Sequence, residues 1–138
     1  MMAWICKQMS VNEDLKDAAL NVLGTELEPC GLDPVTGFYR DGQCATGPQD
    51  QGRHTVCVRV TQEFLEYSKE QGNDLITPMP EYGFPGLRPG DRWCVCAARW
   101  KEAHEAGMAA PIMIRATHAR TLKIVSLDVL KACAIDLS

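Results

Sequence analysis

The most regular alternation along the chain is "HTVCVRV", residues 54–60. Val56, Val58 and Val60 fall on one side and Thr55, Cys57 and Arg59 on the other. Successive strand residues point to opposite faces, so this period of two, rich in β-branched side chains, predicts a strand with one apolar face. The period changes at Thr61. In "TQEFLEYSKEQG" the residues Phe64, Leu65 and Ser68 share one helical face, Thr61 is a favourable N-cap and Gly72 a natural terminator. The succession repeats further on: residues 92–96 read as a strand and residues 97–106 as a helix closed by Gly107. Residues 112–117 read as a third strand and residues 126–133 as a helix capped by Ser126. A short helix capped by Asn12 is expected over residues 12–19.

Two stretches lack either period. Residues 24–52 are dense in Gly, Pro, Asp and Thr, and "LDPVTGFYRDGQ" reads as consecutive turns around a brief extension at residues 38–40. Residues 73–90 carry Pro78, Pro80, Pro85 and Pro89, which restrict them to extended and turn conformations. Their Leu75, Ile76, Tyr82, Phe84 and Leu87 argue for a loop packed on the protein. Loops this long in a small domain are usually functional or disordered. The alternation predicts an α+β fold over residues 1–138. Strands 54–60, 92–96 and 112–117 form one small mixed sheet, helices pack on one side of it, and residues 1–20 are an N-terminal extension.

Length and composition leave this picture intact. At 138 residues, 46% hydrophobic and 23% charged, the chain is the size and type of one globular domain with its own core. No internal repeat or linker-like shift divides it. The net charge of -4 and the absence of a basic cluster argue against nucleic acid as a partner. No apolar run approaches a membrane span, and "MMAWICKQMS" is too short and polar for a secretory signal, so a cytoplasmic location is expected. Seven cysteines are many for that compartment. An odd number without an export signal still favours reduced thiols over a disulfide framework.

Candidate chemistry centres on these thiols. In "PGDRWCVCAARW" Cys94 and Cys96 project from one face of the predicted strand, with Val95 on the other. A bridge between them would need a local bend. Cys96 immediately precedes a predicted helix, whose first amides and dipole favour a thiolate there, with Arg92 or Arg99 able to add to the effect. The alternative is that both thiols are buried and behave as small hydrophobes. A nucleophilic role for Cys96 or Cys94 would require a base, for which His54 and His118 are available. His104, in "KEAHEAG", reads as a partly exposed helix residue.

Zinc is disfavoured, and no metal site is expected. The soft ligands Cys30, Cys44, His54, Cys57, Cys94, Cys96 and His118 are numerous, but they do not form two close pairs of the usual spacing. Phosphate loops, dinucleotide fingerprints and nucleophile elbows are absent, and no cofactor is identified. The segment "GFYRDGQCATGPQDQGRHT" sets Arg40, Asp41, Cys44, Asp50, Arg53 and His54 among glycines that allow close backbone approach. These residues either cap and brace turns or receive a ligand. Arg40, Asp41, Cys44, His54, Cys57 and Arg92 are the ligand-binding candidates.

The stretches "NVLGTELEPCGLDPVTGFYRDGQC", "TGPQDQGRHTVCV", "FLEYSKEQGNDLITPMPEYGFPGLRPGDRWCVCAARWKEA" and "ATHARTLKIVSL" resemble the domain of unknown function 2237 family over residues 21–130. The resemblance implies a small bacterial-type α+β protein and implies no activity. The family pattern reads Asp-Gly-Cys-Cys where this chain has Asp41-Gly42-Gln43-Cys44, so a vicinal cysteine pair is lacking there. Together these readings place a site where segments 40–57 and 82–96 converge. It would bind a small molecule or ion; the alternatives are a cysteine-dependent enzyme using Cys96 or Cys94, and an interaction subunit using the Pro-rich loop with its Tyr82 and Phe84.

Overall fold

The computed structural model describes residues 19–137. Within them lies an α+β fold built on a two-stranded antiparallel ribbon of β1 (His54–Arg59) and β2 (Arg92–Cys96). Helix α1 (Gln62–Glu70) follows β1 and helix α2 (Ala97–Glu105) follows β2 without a break. Helix α3 (Leu127–Cys133) closes the chain. The helix expected over residues 12–19 lies, but for Ala19, outside the described residues.

The caps behave as their side chains dictate. The Thr61 hydroxyl accepts from the Phe64 amide at 3.1 Å, and Ser126 accepts from the Val129 amide at 3.3 Å, each satisfying one orphan donor of a first turn. Phe64, Leu65 and Ser68 are the buried face of α1. Beyond α2 the chain reverses at Gly107, whose φ of 76° suits a residue without a Cβ.

The two faces of the ribbon serve different cores. Val56, Val58 and Val95 pack with Phe64 and Leu65 of α1, Trp100 and Ala103 of α2, and Leu130 of α3. On the other side Cys57 and Cys94 face each other in register and join Cys30, Cys44 and Ala116 in a second buried cluster under the 24–52 loop. The alternation of "HTVCVRV" thus divides a hydrocarbon core from a sulfur core.

Two expectations are corrected. Residues 112–117 are not a third strand. Ile112 makes single bridges to Val58 and Ala134, and the chain then coils into a 3-10 turn at Ile114–Ala116. The Asp136 carboxylate accepts the Ile114 and Arg115 amides at 2.6 and 3.2 Å, which withdraws them from any strand ladder. Residues 38–40 are likewise a turn and not an extension: the Arg40 amide donates to Gly37 and Arg40 takes a φ of 54°.

The expectation of reduced thiols is also corrected. Disulfides join Cys30 to Cys57 and Cys44 to Cys94. Each tethers the 24–52 loop to one strand of the ribbon, a pairing between distant segments that cysteine count alone does not reveal. Among the described residues Cys96 and Cys133 keep free thiols. No helix among them is long and apolar enough to cross a membrane.

Candidate functional site

A cleft of about 520 Å³ opens between the 24–52 loop, the start of α2 and the first residues after α1. Its volume lies within the usual range of small-molecule sites. Phe38, Leu75, Trp93 and Val95 give it apolar walls. Arg40, His54, Asn73, Cys96 and Arg99 are its polar members, with Gly37, Gly52 and the disulfide-bonded Cys94 completing the lining. No carboxylate belongs to the lining, so in a protein of net charge -4 this concavity carries two guanidiniums and an imidazole.

Local backbone irregularity sets His54 beside Cys96. The ribbon register shifts between His54 and Val56, so Thr55 is a bulge residue and His54 pairs with Cys96. Bulges commonly re-aim side chains at sites. Here the bulge is held from three directions: the Thr55 hydroxyl meets the Thr121 hydroxyl at 2.7 Å, and the Arg53 carbonyl accepts from the amides of Thr55 and Ala97. Arg53 itself has a φ of 51°, an unfavourable conformation for a residue with a Cβ. Its guanidinium braces the preceding loop at Thr46 and Gly47. Residues directly opposite in a regular antiparallel pair have Cβ atoms about 4.5–5.5 Å apart, so this pairing makes His54 and Cys96 neighbours across the ribbon.

His54 is oriented by Asp50. The buried Asp50 carboxylate meets His54 Nδ1 at 2.7 Å with one oxygen and accepts the His54 amide at 2.9 Å and the Thr46 hydroxyl at 3.0 Å with the other. Burial by itself pushes the Asp50 carboxyl up. The hydrogen bonds and charge of His54, with the Thr46 hydroxyl, outweigh burial and hold it below its ordinary 3.8. An ionised Asp50 fixes the tautomer with Nδ1 protonated and leaves Nε2 as the basic atom. The ring is further confined by Phe38, stacked at 6.1 Å, and by Gly52, where a Cβ would come within 2.7 Å of His54 Cε1.

Cys96 is half-buried and stands at the N-cap position of α2, without a side-chain bond to that helix's first amides. The two arginines are positioned but retain donors. Arg40 lies over the Trp93 ring at 5.2 Å and donates to the Gly37 carbonyl. Arg99 donates to the Gln71 carbonyl and sits 3.5 Å from Glu102. A guanidinium carries five N–H donors, and these contacts use few of them.

The residues expected at a site divide cleanly. Arg40, His54, Cys94 and Cys96 meet in the cleft. Cys94 has no thiol to offer there, because it is bonded to Cys44. Cys44 and Cys57 are fully buried in the sulfur cluster. Asp41 caps the Gln43 amide at an exposed turn, and Arg92 is an exposed strand residue outside the cleft. His118 is buried and structural: its Nδ1 accepts the Arg120 amide and its own amide donates to Thr55. His104 is exposed and stacks on Trp100. Asp50, for which the sequence left open a turn-bracing or a ligand-receiving role, braces the turn at the His54 amide and is also the partner of the His54 ring; its position four residues before the histidine among glycines is the available signal. In the Pro-rich loop Tyr82 is exposed, whereas Phe84 packs on Trp93.

Residues 20–134 match the model of the DUF2237 family, described as an uncharacterized protein conserved in bacteria. Comparison with curated proteins gives no match.

Proposed function

The chain belongs to the DUF2237 family, and within that fold we propose that it is a cysteine-dependent acyl-transfer enzyme acting on a small anionic acyl compound bound in the cleft. Cys96 is the nucleophile, His54 the base and Asp50 the residue that orients the base. The observation that carries this reading is the buried Asp50 carboxylate on His54 Nδ1 in a histidine set opposite Cys96.

In the first step His54 Nε2 takes the Cys96 proton and the sulfur attacks the acyl carbon, forming a C–S bond. The imidazolium then returns the proton to the departing oxygen, nitrogen or sulfur. Water or another acceptor cleaves the thioester by the same route in reverse, with His54 as base. Arg40 and Arg99 supply N–H donors for a carboxylate or phosphate on the substrate, a task that guanidinium geometry suits. Phe38, Leu75 and Trp93 enclose its carbon skeleton.

The test is incubation of the native protein with a panel of small thioesters and activated esters, with and without a terminal carboxylate, followed by intact and peptide mass spectrometry. A transient acyl mass on the Cys96 peptide is expected, favoured by the carboxylate-bearing members. His54→Ala should slow acylation by about 10²–10⁴-fold, the usual weight of a positioned base. Acylation elsewhere, or at Cys96 with no dependence on His54, would refute the assignment and leave the cleft as a binding site only.

A further inference from the structure

Behind the cleft wall at Cys94 lies a group of sulfurs that the proposed chemistry does not use. The Sγ atoms of Cys30, Cys44 and Cys57 all lie within 4.8 Å of one another, and the three residues are buried. Cys94 is buried with them through its bond to Cys44. We propose that when both disulfides are reduced these four cysteines form a tetrathiolate site for zinc or a comparable thiophilic divalent cation, so that the protein alternates between a disulfide form and a metal form.

Zinc–sulfur bonds of about 2.3 Å in a tetrahedron put neighbouring sulfurs roughly 3.8 Å apart. For Cys30, Cys44 and Cys57 that lies between a covalent S–S contact and the observed 4.8 Å limit; each bonded pair must part by under ~2 Å, and Cys94 must turn toward the other three as its bond to Cys44 opens. Side-chain rotation supplies such a movement while the backbone stays in place.

The backbone is held by bonds other than the disulfides. The amides of Cys30 and Gly31 donate to the Gly42 carbonyl at 2.7 and 3.0 Å, the Cys57 amide to Thr117 Oγ1 at 3.2 Å, and the Cys94 amide to Thr36 Oγ1 at 2.8 Å. Cys57 and Cys94 are also register partners in the ribbon. Cys57 and Cys94 thus stay anchored on the two strands after reduction, and the bonds to Gly42 return Cys30 to them when metal is bound, which is the preorganisation a metal site needs. The surroundings, Ala116 and Met113, are apolar and shield a thiolate site from water. The sequence argued against zinc because it has no two close pairs. Here each ligand stands alone in sequence and the fold gathers them.

The exchange balances with a dithiol as reductant. Each disulfide takes two electrons and two protons from one dithiol, which itself becomes a disulfide, so two dithiols yield four protein thiols. Binding of one zinc ion then forms four Zn–S bonds and releases up to four protons. Oxidation by a disulfide of the same class reverses both steps and expels the ion.

The experiment compares oxidised and fully reduced full-length protein under anaerobic conditions, with excess reductant removed. Each form is titrated with Co²⁺, followed by Zn²⁺, and its metal content is measured after gel filtration. The reduced form should bind about one equivalent, with the intense visible bands of tetrahedral cobalt and a thiolate charge-transfer band that zinc abolishes. The oxidised form should retain less than about a tenth of an equivalent. Cys96→Ser and Cys133→Ser should bind as the parent does, and the double variant Cys30→Ser with Cys57→Ser should lose the charge-transfer band. Circular dichroism records whether the reduced chain is folded before metal is added. If it is unfolded, metal should restore its helices, as folding coupled to binding requires. A reduced protein without the cobalt–thiolate band, folded or not, or a band that persists in the double variant, would overturn the proposal.

Discussion

At the scale of single residues Asp50 sets the orientation of His54 through its carboxylate. Its carboxyl is held below 3.8 in the folded protein, because the bonds from His54 and Thr46 outweigh the cost of burial. A group with a depressed folded value contributes stability that is present above its unfolded value and lost as pH falls through the folded one. Unfolding free energy of the parent should therefore decline as pH drops below about 4, a portion of that decline being due to Asp50. In Asp50→Asn that portion should vanish, and stability near neutral pH should fall by about 1.5–3 kcal/mol, the range for hydrogen bonds to a charged group. Urea unfolding of both proteins between pH 2 and 7 checks this; parallel curves would mean that Asp50 carries no charge-dependent stability. Gly52 gives a separate test of orientation. A Cβ there would stand 2.7 Å from His54 Cε1 and 3.2 Å from Nε2, so Gly52→Ala must move a ring that Asp50 and Phe38 confine. Cys96 acylation should drop by up to about 10²-fold, the penalty for a displacement near 1 Å, with little loss of thermal stability. Unchanged acylation would show that the ring's position does not matter.

At the scale of elements, what was legible in the sequence is what local forces decide. Thr61 and Ser126 were readable as caps because the cap bond spans three residues. The alternation of Val56 and Val58 against Cys57 was readable because strand geometry imposes it. The third strand was misread for a reason at longer range: Asp136, more than twenty residues away, captures the amides of Ile114 and Arg115, and no local pattern announces that. Asp136→Ala should leave two partly buried amides without their carboxylate and cost about 2–4 kcal/mol, since each lost bond to a charged partner weighs more than a neutral one. Thr61→Ala should cost only about 1 kcal/mol. Thermal unfolding of the two variants measures the difference, and equal losses would contradict it. The bulge at Thr55 was hidden for a related reason. Its register shift involves the hydroxyl of Thr121 and the doubly used carbonyl of Arg53, so the sequence raises the pairing of His54 with Cys96 as a possibility but does not place it.

At the scale of the whole molecule the two cores have different dependence on covalent links. The valine side of the ribbon is filled by Trp100, Phe64, Leu65, Ile112 and Leu130, all fully buried, and holds no disulfide. The loop side rests on Cys30–Cys57 and Cys44–Cys94, which close loops of sequence separation 27 and 50. By chain entropy these are worth about 3.6 and about 4.1 kcal/mol, toward the upper end of the usual range. The cleft wall formed by Gly37, Phe38, Arg40, Gly52 and His54 belongs to that loop side and its junction with β1. Reduction without metal should therefore loosen the cleft before it disturbs the helices. Amide hydrogen exchange provides the measurement: after reduction, protection should fall in segments 24–53 while α1 and α2 keep most of theirs, because stability is distributed in cooperative units that need not open together. Acylation of Cys96 should fall with the loop's protection, since Phe38 and the Asp50–His54 pair move with it. If protection is instead lost evenly from loop and helices, the two cores are one cooperative unit. If neither responds, the loop is held by its backbone bonds alone and the disulfides contribute nothing to the integrity of the cleft.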